Sequence, residues 1–82
     1  MKKTKILFFS SKSCAPCNLA KSQLTEQIIN ELNIEILDNS SWEEFVKHEV
    51  QSVPTFVKIN LENNEEVNRL NGYKNIEDLR IL

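Results

Sequence analysis

Glycine, proline, cysteine and histidine are all scarce in this sequence. Its 82 residues include one glycine, two prolines, two cysteines and one histidine. No Pro/Gly/Ser-rich stretch marks a linker, and there is neither an internal repeat nor a low-complexity tract. A chain of this length is too short for two ordinary domains. We therefore interpret residues 1–82 as a single small globular domain.

Charge of one sign and long apolar runs are also lacking. Ten basic residues stand against twelve acidic ones, so the net charge is −2, without the basic stripe that nucleic-acid binding needs. No apolar run approaches the roughly 20 residues of a membrane span. The basic start, Met1 to Lys5, leads into four apolar residues, whereas a signal peptide has about 7–15. We expect a cytoplasmic monomer that binds neither nucleic acid nor a membrane.

The first half of the chain has the pattern of a strand, a helix and a second strand. A continuous apolar run within Thr4–Phe9 is typical of a strand that is buried on both faces. Apolar residues then recur at helical spacing and predict one helix from about Ala15 to Glu31, which ends at Asn33. Ile34–Leu37 reads as a second strand. The apolar side of the helix comprises Cys17, Ala20, Leu24, Ile28 and Leu32.

The second half predicts a helix, a hairpin and a last helix. Asn39-Ser40-Ser41 offers an N-cap to a short amphipathic helix that starts near Trp42. Thr55–Asn60 and Glu65–Leu70 look like two antiparallel strands joined by a polar turn. The spacing of Ile76, Leu79 and Ile81-Leu82 predicts a short final helix. The resulting order is β-α-β-α-β-β-α: an α/β fold with a four-stranded mixed sheet and helices on both faces.

Two cysteines, three residues apart, stand where the first strand meets the first helix. Thiols in a reducing compartment serve redox or metal chemistry more often than they form structural disulfides. Unpaired amides and the dipole at a helix start stabilise an anion, so we expect Cys14 to be the nucleophilic thiolate. Cys17 lies one turn further in, on the apolar side, and is the expected resolving thiol. Pro16 is compatible with a first helical turn and stiffens the loop.

This motif and its surroundings resemble the thioredoxin-like redoxins. A strand, Cys14-Ala15-Pro16-Cys17, then Val53-Pro54-Thr55, a hairpin and Gly72 follow one another in the family's order. The resemblance implies a thiol–disulfide oxidoreductase that reduces protein disulfides and needs no metal or organic cofactor. It also implies that Pro54 is cis and that Val53 docks the substrate. Thr55, Gly72 and Tyr73 are the further substrate-binding residues that it implies.

Departures from the family pattern point to a subgroup. Larger thioredoxins have a tryptophan before the first cysteine and a buried aspartate six residues before it, where this chain has Ser13 and Phe8. The short layout is similar to glutaredoxins and to the redoxins that supply electrons to ribonucleotide reductase. Glutathione users typically carry Gly-Gly-x-Asp near the last helix, whereas Lys74 replaces the acid here. Thioredoxin reductase is therefore favoured over glutathione as the electron donor, and both stay open.

Other interpretations remain beside this one. The two cysteines could be half of a zinc site, although such a site needs four ligands. They could hold an iron–sulfur cluster shared between two chains, or be redox-inert buried thiols. The chain could also be a non-catalytic adaptor that binds a partner along Val53-Pro54.

Several single residues also carry expectations with alternatives. Lys12 either lowers the pKa of Cys14 by its charge or is an ordinary solvated lysine. Tyr73 either lines the groove beside Pro54 or caps the last helix. His48 is expected to be solvated. Trp42, Phe8 and Phe9 are expected in the core, with a place for Trp42 near the substrate groove as the alternative.

Overall fold

A computed structural model describes residues 3–82; Met1 and Lys2, which begin the basic stretch considered above, lie outside the described residues. Four strands form one mixed sheet in the order β2-β1-β3-β4. β1 and β2 are parallel, and the β1–β3 and β3–β4 pairs are antiparallel. The predicted sheet is therefore confirmed. The strands are β1 (Thr4–Phe9), β2 (Ile34–Leu37), β3 (Thr55–Asn60) and β4 (Glu65–Asn71).

The single long helix predicted after β1 is wrong, because the structure has two helices there. α1 spans Ala15–Ser22 and α2 spans Glu26–Leu32. Thr25 starts α2 by accepting a hydrogen bond from the Ile28 amide at 3.2 Å, so it works as an N-cap rather than as a helix interior residue. Asn33 ends α2 in the left-handed conformation with φ 55°, as its position before β2 predicted.

The helices cover both faces of the sheet. α1, α2 and the last helix, α4 (Ile76–Arg80), lie on the face that carries Phe8 and Phe56. α3 (Trp42–Lys47) lies on the face that carries Phe9 and Val57. Because alternate residues of β1 point to opposite faces and helices cover both faces, consecutive residues of β1 must be apolar.

The region around α3 differs from expectation in three ways. A short 3₁₀ helix, Asn39–Ser41, precedes α3, and its cap is Asp38, whose carboxylate accepts from the Ser40 amide at 3.0 Å. Trp42 is 63% exposed and therefore does not belong to the core, unlike the fully buried Phe8 and Phe9. His48 was expected to be solvated, yet its side chain is only 10% exposed.

The burial of His48 has a tertiary cause. Its ring lies 5.9 Å from the ring of Phe9, and its carbonyl oxygen accepts a hydrogen bond from Arg69 of β4 at 2.5 Å. The periodicity of α3 placed His48 away from the apolar side, but these contacts come from β1 and β4. Across residues 3–82, no helix combines the length and the apolar character that a membrane span requires.

Candidate active site

The two cysteines form a disulfide at the start of α1. Their Cα atoms are 5.1 Å apart. Cys14 is the N-cap of α1, and its Sγ accepts a hydrogen bond from the Cys17 amide at 3.2 Å. Cys17 is completely buried, whereas Cys14 is half-buried. One sulfur is thus accessible and held by a helix-start amide, and the other is shielded, as the sequence predicted.

The loop before Cys14 is fixed to the sheet. Ser10 donates hydrogen bonds from its amide and its hydroxyl to the carbonyl of Leu37, at 2.8 and 2.9 Å. The amide of Cys14 then donates to the Ser11 carbonyl at 3.3 Å. Pro16 lies in the first turn of α1, where its missing amide costs no hydrogen bond. Strand pairing between β1 and β2 therefore positions the disulfide.

The Val53–Pro54 peptide bond is cis, which confirms the prediction made from the resemblance. The Pro54 carbonyl accepts a hydrogen bond from the Gly72 amide at 2.8 Å, so the turn after β4 lies against this loop. Gly72 has a φ of +87°, a conformation that side chains disfavour. Gly72 thus shapes the turn that supports Pro54.

Thr55 lies beneath the surface of this loop. It is 1% exposed, and its hydroxyl donates to the Ser52 carbonyl at 2.8 Å. The same hydroxyl lies 3.4 Å from Oδ1 of Asn71. Within residues 3–82, neither the amide nor the carbonyl of Val53 takes part in a backbone hydrogen bond. The loop is therefore anchored on the Thr55 side and presents unpaired backbone groups at Val53.

Tyr73 lies in the turn after β4 and does not cap the last helix. Its hydroxyl contacts the side-chain nitrogen of Gln23, just after α1, so this turn is tied to the end of the cysteine-bearing helix. The last helix is capped by Asn75, which accepts from the Asp78 amide at 2.9 Å. Gln23 was not singled out in the sequence, because nothing in its neighbourhood signals a contact fifty residues away.

Asp38 is a second residue that the sequence did not single out. It lies just past the carboxyl end of β2, beside the loop before Cys14, and shares a cavity of about 250 Å³ with Lys12 and Ser13. Hydrogen bonds from Ser40 lower the pKa of Asp38, and the charges of Lys12 and Lys21 lower it further. Lys12 itself is exposed and lies two residues before Cys14. The predicted parallel pairing of β1 with β2 could have pointed to Asp38, because it brings the carboxyl ends of the two strands together.

A larger cavity of about 430 Å³ lies between α3 and the loop that ends at Pro54. Val53 and Ser11 belong to its lining, so it adjoins both the cis-proline loop and the cysteine loop. The exposed Trp42 and the partly buried Val50 also line it. Trp42 thus lines a cavity beside the cis-proline loop instead of packing in the core.

The interior beneath the disulfide differs from that of larger thioredoxins. Phe8, at the position of their buried aspartate, is fully buried and stacks on Phe56 with ring centroids 4.5 Å apart. β1 thus offers no carboxylate to take a proton from Cys17. Among residues 3–82, no group of three or more His, Cys, Asp or Glu side chains could hold a metal ion.

The chain matches no protein-family model and no curated protein by sequence. Solved structures do match its fold. A thioredoxin of Fasciola hepatica is 26% identical, with a TM-score of 0.76 over 96% of this chain and 76% of that one. Oxidised mitochondrial thioredoxin 3 of Saccharomyces cerevisiae is 20% identical, with a TM-score of 0.74 over 99% and 76% of the two chains. The germline-specific thioredoxin Deadhead of Drosophila melanogaster is 21% identical, with a TM-score of 0.75 over 96% and 76%.

These likenesses agree with the geometry of the site. The four-stranded sheet and its helices correspond to about three quarters of each matched thioredoxin, and the disulfide at the start of α1 is the redox pair expected of that fold. A fold of this kind with a Cys-x-x-Cys disulfide supports thiol–disulfide exchange in general. The resemblance recognised from the sequence is therefore confirmed at the level of fold and motif: the chain has a thioredoxin-like fold with a Cys-x-x-Cys disulfide at the start of α1.

Proposed function

We propose that this protein is a dithiol electron carrier that reduces disulfides in other proteins. The observation that carries the proposal is the asymmetry of the two sulfurs. Cys14 is accessible and accepts a hydrogen bond from a helix-start amide, while Cys17 is buried directly behind it. An attacking thiolate and a protected resolving thiol need this arrangement.

The reaction proceeds in two exchanges. In the dithiol form, the Cys14 thiolate bonds to one sulfur of the substrate disulfide, and the other substrate sulfur leaves as a thiolate. Cys17 then loses its proton to water and attacks the Cys14 sulfur, which releases the second substrate thiolate. Two electrons have passed to the substrate, and the protein is left with the Cys14–Cys17 disulfide.

The substrate docks beside the disulfide along the cis-proline loop. The unpaired amide and carbonyl of Val53 suit an extended segment that pairs with them as an added strand would. Gly72 supports the loop through its bond to the Pro54 carbonyl. Thr55 holds it from below, and Tyr73 fixes the turn next to it. Ala15 and Pro16 connect the two cysteines in the first turn of α1.

The electron donor that resets the disulfide is a thioredoxin reductase. Lys74 follows Gly72-Tyr73 at the place where an acid would help to hold glutathione, and this difference argues against the glutathione route. The Gly-aromatic-basic turn is similar to that of redoxins that reduce ribonucleotide reductase, which is therefore a proposed substrate. The cycle carries its electrons on sulfur and uses no cofactor. We place it in the cytoplasm as a single-domain monomer.

Turnover of insulin tests this function. One reaction contains NADPH and thioredoxin reductase, and the other contains NADPH, glutathione and glutathione reductase. We expect turnover with the first system, and its loss with Cys14→Ser. Cys17→Ser should instead accumulate a mixed disulfide through Cys14, visible as a mass increase under non-reducing conditions.

The outcomes separate the alternatives. Turnover only with glutathione would support the oxidoreductase function and identify glutathione, instead of thioredoxin reductase, as the electron donor. If the reduced protein leaves insulin intact in a stoichiometric reaction, the oxidoreductase proposal fails and a non-catalytic adaptor replaces it. A preparation that contains bound iron or zinc would instead support a metal-carrying protein.

A further inference from the structure

Trp42, the only tryptophan of the chain, is exposed on α3 instead of packed in the core. It is 63% exposed, and Val46, one turn further along the same helix, is 66% exposed. Both line the 430 Å³ cavity beside the cis-proline loop. An exposed aromatic and aliphatic pair around a cavity is the kind of surface that marks a binding site.

The cavity has no charged residue in its lining. Its apolar side consists of Trp42, Phe45, Val46, Val50 and Val53, and its polar side consists of serine, asparagine and glutamine residues. A charged group that entered this space would lose hydration without gaining an ionic partner. The surface therefore suits an uncharged, bulky apolar side chain.

The cavity is continuous with the proposed substrate-docking edge. Val53 contributes its side chain to the cavity and its unpaired backbone to the cis-proline loop. Ser11, which also lines the cavity, belongs to the loop that leads to Cys14. A substrate segment whose backbone pairs with Val53 and whose cysteine reaches Cys14 would therefore place the side chains beside that cysteine over Trp42.

We infer that Trp42 determines specificity, by binding a bulky apolar side chain that flanks the disulfide of a protein substrate. This inference rests on the proposed function and names its substrate class: disulfides in protein segments, in preference to small disulfides. A small disulfide reaches Cys14 but has nothing to place in the cavity. Glutathione disulfide is also charged, which the uncharged lining disfavours.

Stoichiometric reduction by the reduced protein tests this inference without any electron donor. The rate constants are measured for insulin and for bis(2-hydroxyethyl) disulfide, which is small and uncharged. Trp42→Ala should lower the insulin rate constant about tenfold, because it removes one aromatic contact that the bound substrate would bury. The rate constant for the small disulfide should change by less than about twofold.

Two control variants make the comparison specific. Trp42→Phe keeps an aromatic ring and should restore most of the insulin rate. Val67→Ala removes an apolar side chain that is 55% exposed on β4, remote from the cavity lining, and should change neither rate. Because Trp42 is largely exposed, its loss should leave folding intact.

Each outcome decides one of the two proposals. Wild-type protein that reduces neither disulfide would overturn the proposed function and this inference with it. Wild-type protein that reduces both, with equal losses or no loss in Trp42→Ala, would overturn this inference alone. Sedimentation that shows a dimer dissociated by Trp42→Ala would also overturn it, because a second copy would then occupy the surface.

Discussion

The two faces of the sheet are covered to very different extents. On one face, α1, α2 and α4 enclose a core that includes Phe8, Phe56 and Leu79, all at most 3% exposed. On the other face, only the six-residue α3 and the chain around it pack on Phe9, Leu37 and Val57. The second face has cavities of about 430 and 310 Å³, and the first has smaller ones of about 250 and 160 Å³.

The difference separates the parts that stabilise the fold from the parts that bind. Apolar contacts that are fully buried contribute most of the free energy of folding. A face with a single short helix leaves side chains such as Trp42 and Val46 in solvent and gives a partner space to bind. The disulfide lies at the carboxyl end of β1, where both faces meet. One face thus supplies most of the buried core, and the proposed function assigns substrate binding to the other.

Truncation of one phenylalanine on each face should show the contrast most strongly. Phe8→Ala removes a fully buried ring that stacks on Phe56, and should cost about 3–5 kcal/mol of the free energy of unfolding. Phe45→Ala removes a half-buried ring that meets Phe9 edge-on at 4.9 Å, and should cost about 1–2 kcal/mol. Urea denaturation of the oxidised proteins measures both.

If Phe8→Ala does not fold, Phe8→Leu provides the milder comparison, since it keeps an apolar group in the same position. Its loss should still equal or exceed that of Phe45→Ala. Equal losses for Phe8→Ala and Phe45→Ala would show that α3 covers its face as effectively as the three helices cover theirs.

Arg69 connects the thinly covered face to the edge of the sheet. Its guanidinium donates to the His48 carbonyl, just after α3, and to both carboxylate oxygens of Glu66, at 2.9 and 2.6 Å. Arg69→Ala should cost about 1 kcal/mol, since hydrogen bonds from a charged donor are strong but this side chain is partly in solvent. Arg69→Lys keeps the charge without the forked geometry and should recover less than half of the loss. An unchanged urea midpoint for Arg69→Ala would contradict this role.

The same pair predicts a pH dependence. The hydrogen bond from Arg69 lowers the pKa of Glu66 below its ordinary value of 4.5. A carboxyl whose pKa is lower in the folded state adds stability at neutral pH and loses that contribution as the pH falls through the folded-state pKa. The stability difference between wild type and Arg69→Ala should therefore be full at pH 7 and smaller at pH 3. A difference that grows on acidification would contradict this assignment.

The features predicted correctly from the sequence depend on local signals. The apolar run of β1 and the spacing of Cys14 and Cys17 each lie within a few residues of chain. β1 is buried on both faces and Cys17 is shielded, as these patterns predicted, whereas the cis bond at Pro54 was implied by the family resemblance and not by the local sequence. Periodicity and motif are sufficient where the structural cause is equally local.

The features that were missed have causes that apolar periodicity does not show. The break between α1 and α2 was missed because Leu24 and Ile28 continue the apolar spacing of a single helix, although the chain between Ser22 and Glu26 is not helical. His48 was misplaced because its burial comes from Phe9 and Arg69, which are far away in the sequence. Trp42 was misplaced because a large apolar residue is usually buried, and the shortness of α3 leaves this one uncovered.

The charges beside Cys14 should have the smallest effect. Asp38 and Lys12 share a cavity with Ser13, so the carboxylate opposes the influence of the lysine on the neighbouring thiolate. Asp38→Asn keeps an oxygen that can accept from the Ser40 amide but removes the charge, so the pKa of the Cys14 thiol should fall. Lys12→Gln should raise that pKa by a similar amount, and the double variant should return it close to that of the wild type.

The measurement is the pH dependence of alkylation of the reduced protein with iodoacetamide, at low salt and again at about 1 M salt, where the Debye length falls to about 3 Å. The differences among the variants should nearly vanish at high salt, whereas the contribution of the helix-start amide to the pKa of Cys14 should persist because it acts through a direct hydrogen bond. Opposite shifts for Asp38→Asn and Lys12→Gln would show that the thinly covered face adjusts the nucleophile electrostatically. Identical pKa values in all four proteins would leave the start of α1 as the sole source of its reactivity.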